Sequence, residues 1–197
     1  MKKAVFIDKD GTLIKDVPYN VDPKLIQLEA RAGEALQLLN RNGYTIIVVS
    51  NQDGIGKGLF KFNDLTKVNE AIQRKLAPFK VAIDAFYYCP HYINSSIPAY
   101  AIDCSCRKPK PGLILRAAKE LNINLSLSWM IGDILNDMEA GKNAGCQTVL
   151  IDNGNETEWV LNQNRQPTYR VQTLYDAAKK IIAEQGIINP HNENRLA

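Results

Sequence analysis

Short apolar runs alternate with amphipathic stretches along most of this 197-residue chain. Five apolar runs predict buried strands, at 4–8, 44–50, 85–89, 128–133 and 147–152. Four stretches between them carry apolar residues at helical spacing, at 30–43, 63–76, 111–122 and 136–145. A late strand near 169–171 and a closing helix up to about 185 follow. Strands that alternate with helices predict an α/β fold, a Rossmann-like three-layer sandwich with a mainly parallel sheet.

Several residues predict where these helices begin and end. Gly43 is placed to stop the first helix, because glycine adopts the left-handed conformation that ends many helices. Asn63 or Asp64 is expected to act as the N-cap of the second helix. Pro111 suits the first turn of the third helix.

The length predicts one domain over residues 1–197, with the segment 89–106 inserted in it. The gaps at 9–43 and 52–107 already contain predicted elements and leave too little room for a separate cap domain, whose usual minimum is about 50 residues. We therefore expect an open site, shaped by the loops 15–20 and 52–58 and by the cysteine-rich segment. The loop 52–58, "QDGIGKG", lacks the serine or threonine of a P-loop and is expected to be flexible and mildly basic.

Charge and the N-terminus exclude several classes of protein. A net charge of +3 is too small to indicate binding to nucleic acid or to a membrane surface. The apolar run before Asp8 has only four residues, which is too short for a signal peptide or a membrane span. These features predict a cytoplasmic protein, in which thiols stay reduced.

Polar residues follow the predicted strands where an open α/β sheet binds its ligand. They are Asp8 and Asp10, Ser50 and Asn51, Asp133 and Asp137, joined by Arg107 and Lys108 before a helix. Taken singly, each pair is typical of turns, caps or a solvated surface. Together, an acid pair, a hydroxyl, a cation and a second acid pair at strand ends indicate phosphoryl transfer.

Each of these groups has a chemical role in that reaction. Clustered carboxylates repel one another unless a hard divalent cation such as Mg²⁺ neutralises them. A metal-bound Asp8 would attack phosphorus once Lys108 and the metal offset the phosphate's charge. Ser50 and Asn51 would hold the non-bridging oxygens. Asp10 would protonate the leaving oxygen and then deprotonate the hydrolytic water.

Three of the four cysteines and one of the two histidines lie within 89–106. Cys89, His91, Cys104 and Cys106 supply the four ligands of a closed tetrahedral site, which favours a structural Zn²⁺. The alternative is a loop of unligated thiols. Cys146 is expected to be a buried apolar residue, and His191 to be exposed and without a role.

In order and content these motifs resemble those of the haloacid dehalogenase superfamily of phosphatases, over about residues 3–152. The resemblance implies that Asp8 is the nucleophile, Asp10 the general acid and base, Ser50 the hydroxyl of the second motif, and Lys108 the cation of the third. It also implies that Mg²⁺ binds Asp133, the Asp8 side chain and the backbone carbonyl of Asp10. Asp137 would orient Lys108 or a metal-bound water. Capless relatives imply a monomer.

The segment "YYCPH…CSCRKPKPG" is similar to two capless groups with a zinc-bearing loop, the D-glycero-D-manno-heptose-1,7-bisphosphate 7-phosphatases and the histidinol-phosphate phosphatases. The first group, favoured here, serves lipopolysaccharide core assembly; the second is the alternative. The resemblance implies three sets of substrate-contacting residues: Asp16, Val17, Pro18 and Tyr19 around the sugar, Ser50, Asn51, Gln52 and Asp53 around the phosphate, and Arg107 with Lys108. Two residues depart from the heptose enzymes: Ile134 replaces a lysine, and Asp53 a frequent serine.

Two further interpretations are weaker. A polynucleotide 3′-phosphatase would need a basic stripe or an aromatic ladder, and the sequence has neither. A non-catalytic, zinc-bearing interaction module would not need Asp8, Asp10 and Lys108 together. The expected partner is therefore a small phosphorylated metabolite, with a sugar bisphosphate favoured, and no nucleic acid or membrane.

Overall fold

A computed structural model describes residues 1–188 of the chain. Within this range, six strands form one sheet in the order β3-β2-β1-β4-β5-β6, and every neighbouring pair is parallel. The strands are β1 (Lys3–Ile7), β2 (Tyr44–Asn51), β3 (Ala85–Cys89), β4 (Trp129–Gly132), β5 (Gln147–Ile151) and β6 (Tyr169–Val171). The predicted parallel sheet is confirmed.

In the described part of the chain, five helices cover the two faces of this sheet: α1 (Ala32–Arg41), α2 (Phe62–Leu76), α3 (Gly112–Leu121), α4 (Leu135–Ala144) and α5 (Leu174–Ile188). Alternate residues of β1 point to opposite faces. Val5 and Ile7 join the core formed with α1, α2 and α5, whereas Ala4 and Phe6 join the core formed with α3 and α4. The predicted three-layer sandwich is confirmed.

The strand order places one crevice at the centre of the sheet. The order reverses between β1 and β4, and ligands of open α/β sheets bind at such a switch point, beyond the carboxyl ends of the strands. Asp8 follows β1 and Asp133 follows β4. The backbone N–H of Asp8 donates to the carbonyl of Ile131 at 3.0 Å, which carries the pairing of the two strands up to this crevice.

The structure agrees with the predicted elements to within a few residues and differs at two helix starts. Pro111 is the N-cap of α3, which begins at Gly112, and does not lie in its first turn. Helix α2 begins at Phe62, so neither Asn63 nor Asp64 is its N-cap. Asp64 instead lies in the first turn, where its carboxylate accepts from the backbone N–H of Lys61 at 2.9 Å. Gly43 follows α1 with φ 79°, as expected of a helix stop. His191 lies outside the described residues.

The segments that follow β1 and β2 contain no separate cap in the described part of the chain. Between β1 and α1 lies one short 3₁₀ turn, Pro23–Leu25, and between β2 and β3 lie α2 and the turn Ala77–Phe79. The carboxyl ends of the strands are therefore bordered by loops. Among residues 1–188, no helix has the length and hydropathy that crossing a membrane requires.

Candidate active site

Asp8 and Lys108 form a buried ion pair in the crevice between β1 and β4. The Lys108 ammonium lies 2.5 Å from Asp8 Oδ1, and the two residues are 4% and 8% exposed. Burial alone would lower the pKa of Lys108, but the carboxylates of Asp137 and Asp8 outweigh it and hold that pKa above its ordinary value. Lys108 is therefore a permanent cation beside the Asp8 carboxylate.

Two further groups fix the Lys108 ammonium in place. It lies 2.6 Å from Asp137 Oδ1 and donates to the carbonyl of Val49 at 3.1 Å. Asp137 is fully buried in the first turn of α4, and it packs against Gly132, where a Cβ would come within 2.1 Å of its carboxylate. Glycine at position 132 thus makes room for the carboxylate that orients the lysine.

Asn51, the last residue of β2, holds the backbone of Lys108. Its Oδ1 accepts from the Lys108 N–H at 3.0 Å, and its Nδ2 donates to the Lys108 carbonyl at 3.1 Å. The Asn51 side chain, which we expected to bind the phosphate oxygens, thus binds the backbone of Lys108. The local sequence does not predict this contact.

Asp133 is held by groups from two other segments. Thr12 Oγ1 donates to its Oδ1 at 3.0 Å, and Asn155 Nδ2 donates to its Oδ2 at 2.7 Å. Gly11, with φ 79°, passes so close that a Cβ would lie 2.2 Å from Asp133 Oδ2. Burial, and then the charge of Asp8, raise the pKa of Asp133 to about 6.

No role was assigned to Asn155 by the sequence analysis. Its segment follows β5, so the strand-end rule indicates this loop, but it does not indicate the contact between Asn155 and Asp133. The neighbouring Asn153 donates to the carbonyl of Gly11 at 2.8 Å. The loop after β5 thus donates hydrogen bonds to Gly11 in the turn after β1 and to Asp133 after β4.

The carboxylates at the crevice suit a hard divalent cation. Oxygen atoms of Asp8, Asp133 and Asp137 all lie within 4.8 Å of one another. Asp8 and Asp133 line the cavity at this crevice, whereas the fully buried Asp137 does not, so Asp8 and Asp133 are the side chains available to a metal. Burial of several like charges is unfavourable, and it becomes favourable when Mg²⁺ is bound by such oxygens.

Asp10 lies at the mouth of the crevice, between a cation and an amide. The Lys9 ammonium is 3.1 Å from its Oδ1, and Gln52 Nε2 donates to its Oδ2 at 3.0 Å and to Ser50 Oγ at 2.9 Å. Burial raises the pKa of Asp10 above its ordinary value, the Asp8 charge adds to the rise, and Lys9 opposes it. Asp10 is thereby more easily protonated than an ordinary aspartate.

Two adjoining cavities open at this end of the sheet. One, of about 240 Å³, is lined by Asp8, Asp10, Asp16, Ser50, Asn51, Lys108, Asp133, Ile134 and Asn155. The other, of about 210 Å³, is lined by the loop 16–20 together with Lys9, Asp10, Asn51, Gln52, Asp53, Gly54 and Phe60. Asp16, Val17, Pro18, Tyr19, Gln52 and Asp53 therefore surround one space beside the acidic cluster. Arg107 does not line either cavity but lies 3.3 Å from Asp53, which lines the second one.

Cys89, His91, Cys104 and Cys106 come together in a second cluster, with their ligand atoms within 4.8 Å of one another. The sulfur atoms are 3.1–3.5 Å apart, and His91 Nδ1 is 3.2 Å from Cys106 Sγ. A disulfide would need about 2.05 Å. Four ligands around a Zn²⁺ with bonds of about 2.3 Å are about 3.8 Å apart, close to the observed spacing. The cluster fits a zinc ion. Cys146 is buried elsewhere, as expected.

Known proteins resemble this chain over almost its whole length. The family model described as HAD-hydrolase-like matches residues 105–177. The D-glycero-β-D-manno-heptose-1,7-bisphosphate 7-phosphatase of Pasteurella multocida is 41% identical over 183 residues, which are 92% of this chain and 97% of that protein.

Solved structures show the same similarity. A protein of Mesorhizobium loti described as a HAD-like phosphatase has a TM-score of 0.81 at 32% identity, over 92% of this chain and 87% of that one. The heptose bisphosphate phosphatase of B. bronchiseptica, solved with magnesium and phosphate, has a TM-score of 0.76 at 26% identity, over 92% and 99% of the two chains. The interpretation as a non-catalytic zinc module is therefore wrong. The chain belongs to the haloacid dehalogenase superfamily and is a phosphatase.

Proposed function

We propose that this phosphatase hydrolyses the 7-phosphate of D-glycero-β-D-manno-heptose 1,7-bisphosphate. The observation that carries the proposal is the 41% identity, over 92% of the chain, to a phosphatase named for that substrate. The buried Asp8–Lys108 pair and the cavity beside it are consistent with a small phosphorylated sugar. Nothing in the described residues favours histidinol phosphate. The proposal treats residues 1–197 as one phosphatase domain.

In the first step, a carboxylate oxygen of Asp8 attacks phosphorus and the bond from phosphorus to the sugar oxygen breaks. Asp10 donates its proton to that leaving oxygen, and Asp8 becomes an aspartyl-phosphate. The raised pKa of Asp10 supports this role, since it favours the protonated form that a general acid needs.

In the second step, the Asp10 carboxylate takes a proton from a water molecule as that water attacks phosphorus. The bond between Asp8 and phosphorus breaks, and inorganic phosphate leaves. The same aspartate thus serves as acid and then as base.

Charge on the phosphoryl oxygens has to be offset throughout. Lys108 supplies a fixed cation, and the Ser50 hydroxyl a hydrogen bond. Mg²⁺, held by Asp8, Asp133 and the backbone carbonyl of Asp10, would neutralise further charge when bound. Asp137 keeps the lysine oriented.

The remaining residues would bind the substrate or order the loops around it. Asp16, Val17, Pro18 and Tyr19 would contact the sugar, Gln52 and Asp53 would flank the phosphate with Ser50 and Asn51, and Arg107 would contact the substrate. A Zn²⁺ at the cysteine cluster would have no open coordination position, so its role would be structural. Cys106 directly precedes Arg107 and Lys108, so this metal would order the loop that carries both cations.

A phosphate-release assay with Mg²⁺ tests the proposal. The substrates are heptose 1,7-bisphosphate in both anomers, histidinol phosphate, fructose 1,6-bisphosphate and nucleotides. We expect the β-anomer to have the highest kcat/KM and Asp8→Asn to abolish its turnover. Equal and feeble rates on all substrates would contradict the heptose assignment, and turnover by Asp8→Asn would contradict the assignment of the nucleophile.

A further inference from the structure

The Lys57 ammonium contacts the loops around the cavity of about 210 Å³ that residues 16–20 line, which is called the sugar cavity below. It donates to the Tyr19 hydroxyl at 2.6 Å and lies 3.1 Å from Asp53 Oδ2. It also lies 4.7 Å from the centre of the Tyr92 ring, within the range of a cation–π contact. Tyr19 belongs to the loop 15–20 and Tyr92 to the cysteine-rich segment, so one side chain contacts both from the loop 52–58.

Tyr19 has a backbone conformation that its own side chain disfavours. Its φ is 56°, and the Asn20 N–H donates to the Val17 carbonyl at 3.1 Å. A proline at the second position and a positive φ at the third are typical of a type II turn, where glycine is the usual third residue. A bulky residue in this conformation is strained, and it persists only when its surroundings hold it. The contact from Lys57 to the Tyr19 hydroxyl is such a restraint.

The backbone next to Lys57 packs tightly against the cysteine-rich segment. Gly56 is so close to the cysteine-rich segment that a Cβ would come within 2.7 Å of the Pro90 carbonyl. The Ser95 hydroxyl donates to the Gly56 carbonyl at 2.5 Å. Asp53, which receives the Lys57 ammonium, is also 3.3 Å from Arg107. The loop 52–58, which we expected to be flexible, is therefore fastened to the segment that carries the zinc ligands.

We infer that Lys57 is a positioning residue that holds Tyr19, and with it the loop 15–20, against the sugar cavity. The restraint runs from the cysteine-rich segment through Gly56 and Lys57 to the turn at Tyr19. The importance for substrate binding rests on the proposed function, in which Tyr19 contacts the sugar. The restraint on the loop does not depend on it.

Hydrogen–deuterium exchange of the substrate-free protein tests the restraint. Lys57→Met removes the ammonium, Lys57→Arg keeps a donor for Tyr19 and Asp53, and Tyr19→Phe removes only the hydroxyl. Lys67→Met, an exposed lysine of α2, is the control. We expect amide exchange in residues 15–20 to rise in Lys57→Met and Tyr19→Phe, and to stay near the wild-type rate in Lys57→Arg and Lys67→Met. Unchanged exchange in both Lys57→Met and Tyr19→Phe would overturn the inference.

Kinetics distinguish positioning from a general loss of structure. In Lys57→Met we expect KM for heptose bisphosphate to rise about tenfold, as for the loss of one charge-assisted contact, with kcat within about twofold. Adding Tyr19→Phe to Lys57→Met should raise KM no further, because the two residues act through one contact. An equal fall of kcat in Lys57→Met, or additive effects, would contradict this role. Should the wild type reject the heptose substrate, the proposed function fails, while the exchange result still decides the restraint.

Discussion

The side chain of Asn51 binds the backbone of Lys108 in both directions, with hydrogen bonds of 3.0 and 3.1 Å. This contact joins the end of β2 to the loop after the cysteine cluster. It fixes the position from which Lys108 reaches Asp8. The backbone of the cation is therefore held by a residue at the end of a different strand.

Replacing Asn51 by alanine should lower kcat, because the Lys108 backbone loses both of its anchors. Displacement of a catalytic group by about 1 Å can cost on the order of 10²-fold in rate, and we expect a loss of that order. Steady-state phosphate release measures it. Asn40→Ala, at an exposed position of α1, is the control that should leave kcat unchanged. An unaltered kcat in Asn51→Ala would show that Lys108 is placed by other contacts.

Asn155→Ala should weaken Mg²⁺ binding, since Asp133 would lose the hydrogen bond to its Oδ2. Loss of a group that orients a metal ligand typically costs about 10–100-fold in affinity. Isothermal titration of the substrate-free protein with Mg²⁺ gives the dissociation constant without relying on turnover. Asn164→Ala changes an exposed asparagine of the same loop and should bind as the wild type does. Equal affinities for the two variants would exclude a role for Asn155 at the metal.

The raised pKa of Asp133 predicts how pH affects the metal-free protein. Its pKa is about 6 in the folded state, against 3.8 for the unperturbed group, so the folded state binds the proton more tightly. The unfolding free energy should therefore fall as pH rises from about 4 to 6, by about 3 kcal/mol, and stay low above that range.

Thermal unfolding at pH 5 and pH 7.5, with and without Mg²⁺, measures this effect. We expect the metal-free Tm to be lower at pH 7.5, and added Mg²⁺ to raise Tm more at that pH. Asp133→Asn cannot ionise at this position, so both differences should shrink. A metal-free Tm that rises with pH in the wild type but not in Asp133→Asn would contradict the shifted pKa.

Disrupting the cysteine cluster should reduce activity through the loop that carries Arg107 and Lys108. We expect Cys104→Ser to lose zinc, measured by elemental analysis, and to lose phosphatase activity that added Mg²⁺ does not restore. Cys146→Ala removes a thiol that lies outside the cluster and should retain both. Full activity in a verified zinc-free protein would contradict a structural role for this metal.

The fold and the acidic cluster were largely predictable, because both follow from local periodicity. Strands and helices show in the spacing of apolar residues, and a parallel sheet brings the residues after its strands to one edge. Asp8 and Asp133 could thus be placed together although their strands are far apart in the sequence. At the opposite ends of these strands, Ala4 and Ser128 are 124 residues apart. The four members of the cysteine cluster were also identifiable, since cysteine and histidine are rare in this chain.

The supporting contacts were not predictable in the same way. Three of these contacts join residues that are far apart in the sequence. The partners are 57 residues apart for Asn51 and Lys108, 22 for Asn155 and Asp133, and 38 for Lys57 and Tyr19. Asparagine and lysine are common in loops, so their spacing carries no signal. Only the packing of loops from different strand ends determines which of them meet.

In the proposed reaction, Asp8 carries the phosphoryl group during turnover. The most direct measurement uses Asp10→Asn with p-nitrophenyl phosphate, whose leaving group needs no proton from the enzyme. Without the general base, the second step should stall. Acid quenching followed by peptide mass spectrometry should then find one phosphoryl group on Asp8, and none in the variant that also carries Asp8→Asn. A phosphoryl group on another residue, or turnover by Asp8→Asn, would contradict the account.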